Sequence, residues 1–329
     1  MQGGAKDLSN LALRSTENAK SGKLDRLKVK FKKDYGRNYD LYLMLIPVFI
    51  YFFIFWLIPL YGITIGFKDY TVARGVMESP WVGFKHFIRF FNSHYFSRTI
   101  INTLGLNLYA LLFSFPLTIV LALMFNELRN KKFKNIAQII SYAPNFISVV
   151  VVCGMLITFL SPSTGFISNA ISLFTGDKVN YLAEAKYFWH IFVWSGIWQG
   201  IGFGTILYTA AMSSIPQNLY EAADVDGATK LQKIMYITLP SISSLIVLMF
   251  ILAIGNIFSL GFDKILLLQN GSNIAASEVI STYVYKQGVM GGQFSYTTAI
   301  SLFNTAANIL ILGTASFISK KIRGKGLFD

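Results

Sequence analysis

Three carboxylates, Glu221, Asp224 and Asp226, stand within six residues of one another, and Gly227 follows them directly. Their surroundings offer recognition rather than catalysis. His86, His94 and His190 fit no HExxH or similar metal spacing, and no GxSxG nucleophile turn occurs. Lone histidines in loops are expected at the surface. The single Cys153 lies inside an apolar run, which excludes a disulfide framework and a cysteine metal site. GxxxxGK[ST] is absent as well, so the chain carries no phosphate-cradling loop of its own.

The carboxylates belong to a polar stretch, residues 216–240, that interrupts two apolar runs. Pro216 stops the preceding run, and Asn218 is the expected N-cap, with Glu221 three residues on and able to reach back to the cap amide. Leu219, Ala222, Ala223 and Val225 give the helix a small, smooth face that another surface can approach. Gly227 should end it, because glycine alone takes positive φ cheaply. A second helix is expected over 228–237, with Leu239 and Pro240 marking re-entry into apolar sequence. The pattern predicts a helix, turn, helix elbow lying along a membrane.

Glu221, Ala222, Ala223, then Gly227, Ile237, Leu239 and Pro240 resemble the EAA motif of the membrane subunits of bacterial ABC importers. All the defining positions match at the right spacing, and Asp226, Gly227 and Ala228 are similar to the carbohydrate-importing branch. The resemblance implies that the elbow is a coupling helix, seated in a groove on a cytoplasmic ATPase subunit, with Glu221 facing a basic group there. It further implies a type I importer permease fold, a second homologous permease subunit, two ATPase subunits holding ATP and Mg, and an extracytoplasmic solute-binding protein. No cofactor is expected on this chain.

Composition agrees with a membrane protein. Of the 329 residues 53% are hydrophobic and 14% charged, against about a quarter charged in soluble domains. Apolar runs at about 41–67, 103–125, 136–160, 188–211, 242–262 and 298–319 each approach or exceed the roughly 20 residues that cross a bilayer as a helix. The expected architecture is an all-α polytopic protein: a basic tail over 1–40, a six-span domain over 41–319 and a second tail over 320–329. No cleavable signal sequence is expected in the first 40 residues. The net charge of +13 suggests nucleic acid at first sight, but its distribution follows the positive-inside rule. Twenty Lys and Arg lie on the side carrying both termini and the elbow, against nine on the other. That asymmetry predicts cytoplasmic termini and a cytoplasmic elbow, and the resemblance implies an inner-membrane location. The basic cluster Lys28, Lys30, Lys32, Lys33 and Arg37 suits anionic lipid headgroups, or serves only to fix topology.

Between the spans, the aromatic loop 68–102 is expected to hold a short surface helix around 83–91, and the loop 161–187 one short amphipathic helix. GFKDY at 66–70 and WVGFKHF at 81–87 resemble the LplB-type and alginate-importer permeases. Pro47 and Pro59 are expected to kink the first span. Pro144 opens the backbone at the start of the third, where a hinge is expected.

The fourth span carries Gly196, Gly200 and Gly204 at intervals of four, with Gly202 beside them, so that a helix or a ligand can approach its backbone. Trp198, Gln199 and Phe203 flank that groove and combine an aromatic face with an amide, as a sugar requires. Gly200 and Phe203 resemble the sugar-contacting positions of maltose-importer membrane subunits, while Gln199 departs from the apolar residue found there. Asn256 in the fifth span and Asn304 in the sixth should face the bundle interior, because unpartnered amides are costly in lipid. The substrate path is thus expected to include Trp198, Gln199, Gly200, Phe203, Asn256 and Asn304.

No buried Asp, Glu, Lys or Arg is expected, which disfavours proton or sodium coupling. The reading that follows is a non-catalytic permease subunit of an ATP-driven importer for an oligosaccharide or polysaccharide. A stand-alone channel or facilitator is the alternative; a membrane-embedded enzyme lacks a visible catalytic constellation.

Overall fold

The computed structural model describes residues 36–176, 178–258 and 261–323. Most of the tail expected over 1–40, part of that over 320–329, and Asp177 lie outside the described residues. Among those described, the regular structure is helical apart from one isolated bridge between Lys68 and Trp81.

The chain divides into two compact units, Met1–Thr64 and Ile65–Asp329. The first contains most of α1 (Tyr39–Phe67), whose most apolar window has no buried residue. Pro59 does not simply bend it. A π turn over Phe53–Leu57 comes first, and Ile58 N–H donates to the Phe53 carbonyl five residues back. The wider turn accommodates a residue that lacks an amide hydrogen and would crowd the carbonyl four residues before it.

In the second unit, α2 (Gly75–Glu78) and α3 (Lys85–Phe91) order the aromatic loop. Asp69 pairs there with Lys85 at 2.6 Å and with His86 at 3.1 Å. The Lys85 hydrogen bond holds the Asp69 carboxyl below its ordinary value. His86 is buried rather than at the surface, because it packs under this loop beside the Lys68 carbonyl. The long helices are α4 (His94–Glu127), α8 (Ala185–Ser213), α10 (Lys230–Gly255) and α14 (Phe294–Arg323). At 34 residues α4 is about 51 Å long, well beyond the roughly 30 Å of hydrocarbon.

Among the described residues five helices are long and apolar enough to cross a membrane, and the run at 136–160 is a bent pair instead of one straight helix. α5 (Lys131–Tyr142) and α6 (Val149–Phe159) meet at 94° across a 3-10 turn, Ala143–Phe146. Pro144 sits in the first turn of the 3-10 segment, where its missing donor is not needed, and the chain leaves the helical region just after it, at extended Ile147 and Ser148. Ser148 then starts α6 afresh, its hydroxyl accepting from Val151 N–H at 3.3 Å. α7 (Phe166–Thr175) is the short amphipathic helix expected in the next loop.

The largest departure lies between α10 and α14. Residues expected to form an external loop build α11 (Phe262–Leu268), α12 (Ile274–Ser277) and α13 (Ile280–Val284), followed by a π turn over Tyr285–Met290. Ile265, Leu268 and Val279 join Cys153, Phe188 and Ile197 in one core, while Ile280 and Tyr283 pack with Phe90 and Tyr296 in another. These short helices also bury two ionisable residues, Lys264 at 8% exposure and Glu278 at 4%, against the expectation of none.

Candidate functional site

The elbow forms as a hairpin of α9 (Gln217–Val225) and the start of α10. α9 begins two residues earlier than expected: extended Pro216, not Asn218, occupies the N-cap position, with no side-chain cap. Its far end is a Schellman motif. Gly227 has φ +72°, Gly227 N–H donates to the Asp224 carbonyl at 3.1 Å, and Ala228 N–H donates to the Ala223 carbonyl at 2.9 Å. The chain restarts immediately with a capping box, in which Thr229 N–H donates to Gln232 Oε1 at 2.7 Å and Gln232 N–H to Thr229 Oγ1 at 3.4 Å.

Two side-chain contacts clasp the hairpin. Lys233 forms an ion pair with Asp224, and the Tyr220 hydroxyl lies 2.9 Å from Oγ1 of the fully buried Thr238. Glu221, Ala222, Asp226, Gly227 and Pro240 are exposed, while Ala223, Ile237 and Leu239 are half-buried. Asp224 is exposed too, although its carboxylate is engaged. Val225 at 88% and Tyr236 at 79% exposure add uncovered apolar surface.

The second helix does not stop at Leu239 and Pro240. A π turn over Ile234–Thr238, closed by Leu239 N–H on the Ile234 carbonyl, carries the helix across Pro240 into the span. It is the device already seen at Pro59. Elbow and fifth span are consequently one continuous helix.

The residues expected to line a substrate path separate into several places. Gly200 has open space where a Cβ would stand, and the half-exposed Phe203 meets Phe146 of the 3-10 turn edge-on at 6.3 Å. Gln199 reaches the same turn: its Nε2 donates to the Ile147 carbonyl at 2.9 Å. Gly202 makes the close helix contact here, since a Cβ would fall 2.0 Å from the Ser141 carbonyl oxygen. Asn256 sits just past the end of α10 rather than within it, and lines a cavity of about 340 Å³ with Asn107, Ser114, Thr118, Gly204 and Tyr208. Trp198 lines a different, apolar cavity of about 350 Å³ with Trp194 and residues of α6. Asn304 is half-buried on α14, and its Oδ1 has no hydrogen-bond partner.

Sequence reasoning missed the two buried charges. Glu278 is paired with Arg98 at 3.3 Å. Lys264 donates from Nζ to the Phe192 carbonyl at 3.1 Å and lies 5.0 Å from the centre of the Phe192 ring. A lone lysine in the run GFDKILLL was the available signal.

Long apolar helices, a clasped elbow that its own subunit leaves uncovered, and a partly polar cavity between spans fit a helical membrane transport subunit. Residues 114–323 match the family described as binding-protein-dependent transport system inner membrane component. The chain is 40% identical over 292 residues to Protein LplB of Bacillus subtilis (strain 168), covering 89% of this chain and 92% of that protein. It is also 40% identical over 288 residues to the polygalacturonan/rhamnogalacturonan transport system permease protein YteP of the same organism, covering 88% and 90%. A crystal structure of a bacterial ABC transporter involved in the import of the acidic polysaccharide alginate contains a chain of 41% identity, matched with a TM-score of 0.83 over 89% of this chain and 99% of that one. A bacterial alginate ABC transporter in complex with an alginate pentasaccharide-bound periplasmic protein gives 0.82, at 41% identity, over 89% and 98%. The chain belongs to the binding-protein-dependent transport system inner membrane component family, and is a non-catalytic permease subunit of ABC transporter type.

Proposed function

We propose that this chain is one of a pair of homologous permeases through which an ABC importer carries an oligosaccharide or polysaccharide across the cytoplasmic membrane. An extracytoplasmic binding protein delivers the substrate. Two ATPase subunits, holding ATP and Mg, supply the energy. Both termini and the elbow face the cytoplasm, in line with the excess of Lys and Arg on that side. Relatives that carry polygalacturonan, rhamnogalacturonan and alginate support the saccharide assignment.

The observation that carries this reading is the elbow's construction. It is exposed, capped where α9 ends and where α10 begins, and continuous with a 26-residue helix. ATP binding closes the ATPase pair and draws the two elbows together. Because α10 has no break at Pro240, that displacement passes directly into the span and turns the passage outward; hydrolysis resets it. The bias arises from the preference of ATP for the closed ATPase, since a ligand shifts an equilibrium only through its differential affinity.

Glu221→Lys tests the assignment. The complex should still insert and assemble, because Glu221 is exposed and makes no ion pair among the described residues, but substrate-stimulated ATP hydrolysis should be lost. Normal stimulation would remove the elbow from the coupling path. A facilitator would in addition purify without ATPase subunits.

A further inference from the structure

Among the described residues of the second unit, two side chains of the Lys, Arg, Asp and Glu types are buried, and they are treated differently. Glu278 has Arg98 against it. Lys264 has no carboxylate partner among the described residues, only the Phe192 carbonyl and ring face. An ammonium has three donors and carries its full charge into a low-dielectric setting, so one carbonyl satisfies it poorly. A position needed only for packing would be better filled by Leu or Met.

The location of the charge indicates its use. Phe192, Gly196, Gly200 and Phe203 follow one another at intervals of four, four and three, and so share a face of α8. Lys264 Nζ bonds the first of them and stands 3.4 Å from where a Cβ on Gly196 would be. An alanine at 196 would just touch the ammonium, and a longer side chain would reach into its space. One turn on, Gly200 is open, and beyond it Phe203 offers a half-exposed ring. A cation, an open stretch of backbone and an aromatic face therefore succeed one another along about 16 Å of helix. A sugar acid presents the complementary set: a carboxylate, hydroxyls, and a ring whose C–H face stacks on an aromatic.

We propose that Lys264 is a specificity-determining residue that admits anionic saccharides of the uronate class, its ammonium exchanging the Phe192 carbonyl for a substrate carboxylate as the passage opens. This rests on the importer reading above and goes beyond it in naming the charge of the substrate and the group that selects it. A neutral saccharide would have no counterpart for the buried ammonium. Desolvated cations discriminate strongly in favour of an anion that can pair with them.

The test uses the whole complex, with partner permease, ATPase and binding protein, in proteoliposomes. Import of trigalacturonate is compared with import of its methyl ester, each supplied on saturating binding protein. Lys264→Met should lower import of the acid by about tenfold or more while the ester is spared, and Lys264→Arg should restore the acid. Co-purification of the other subunits reports folding of each variant. Wild-type import of the acid by Lys264→Met overturns the proposal. So does an equal loss for acid and ester that Arg fails to rescue, which would mark a structural carbonyl clamp, or a wild-type preference for the ester. If the wild-type complex imports no saccharide at all, the importer reading itself fails, and this assignment with it.

Discussion

Gly227→Ala isolates the backbone contribution of the elbow. The residue has φ +72°, and a Cβ built there meets no atom within 4 Å, so any effect comes from conformation rather than collision. Placing an alanine in the left-handed region costs about 1–2 kcal/mol. The Schellman bonds from Gly227 and Ala228 hold α9 to that conformation, so the strain must either be borne or released by unwinding the last turn of α9. If docking requires the native turn, about 1–2 kcal/mol translates into a roughly 5- to 30-fold weaker association with the ATPase. The assay is a titration of the purified permease pair with ATPase subunits, read by fluorescence anisotropy or by recovery of coupled hydrolysis. Gly227→Asn serves as the control, because asparagine tolerates the left-handed region better than alanine. Its loss should fall between those of wild type and Ala. Wild-type affinity for Gly227→Ala would refute the reasoning, since the strain would then be absent or irrelevant to docking.

Arg98→Ala strips the buried Glu278 of its partner and should destabilise the subunit by about 3 kcal/mol. Adding Glu278→Gln should recover most of that loss, as measured by thermal denaturation of the purified complex. Gly202→Ala drives a methyl into the Ser141 carbonyl, a backbone atom that cannot rotate away. α5 and α8 must then separate, at about 1–3 kcal/mol or more, lowering the same melting temperature.

The sequence was most readable where local chemistry decides the conformation. Gly227 ends α9 as its neighbours require, and the amphipathic helix after Gly165 forms within its expected loop. The breaks predicted at proline were read less well, for one physical reason. Proline disfavours a regular α turn without excluding it, Pro47 and Pro116 lying inside helices, while Pro59 and Pro240 follow wider π turns that leave no mark in hydrophobic periodicity. At Pro144 no such turn intervenes, and the chain bends through 94°. The segment 262–290 misled for another reason. Its helices are too short to show a period, and their burial comes from packing against α4, α8 and α14 rather than from anything local. Counting it as a loop concealed Lys264 and Glu278. Among the residues proposed for the path, the sequence named Gly200 and Phe203 but gave no sign that Gln199 would be tied to Ile147, or that Trp198 and Asn256 would line different cavities.

The π turn at Ile234–Thr238 also fixes an angular relationship. Relative to a regular helix it holds one surplus residue, and each residue of an α-helix advances the chain by about 100°. Regularising that turn to α with every residue kept would leave both the elbow and the span helical, yet everything downstream, through to Asn256 at the cavity wall, would be swung by about 100° round the axis. The wide turn thus acts as a phase setting, deciding which side chains look inward when the shaft is moved from its cytoplasmic end.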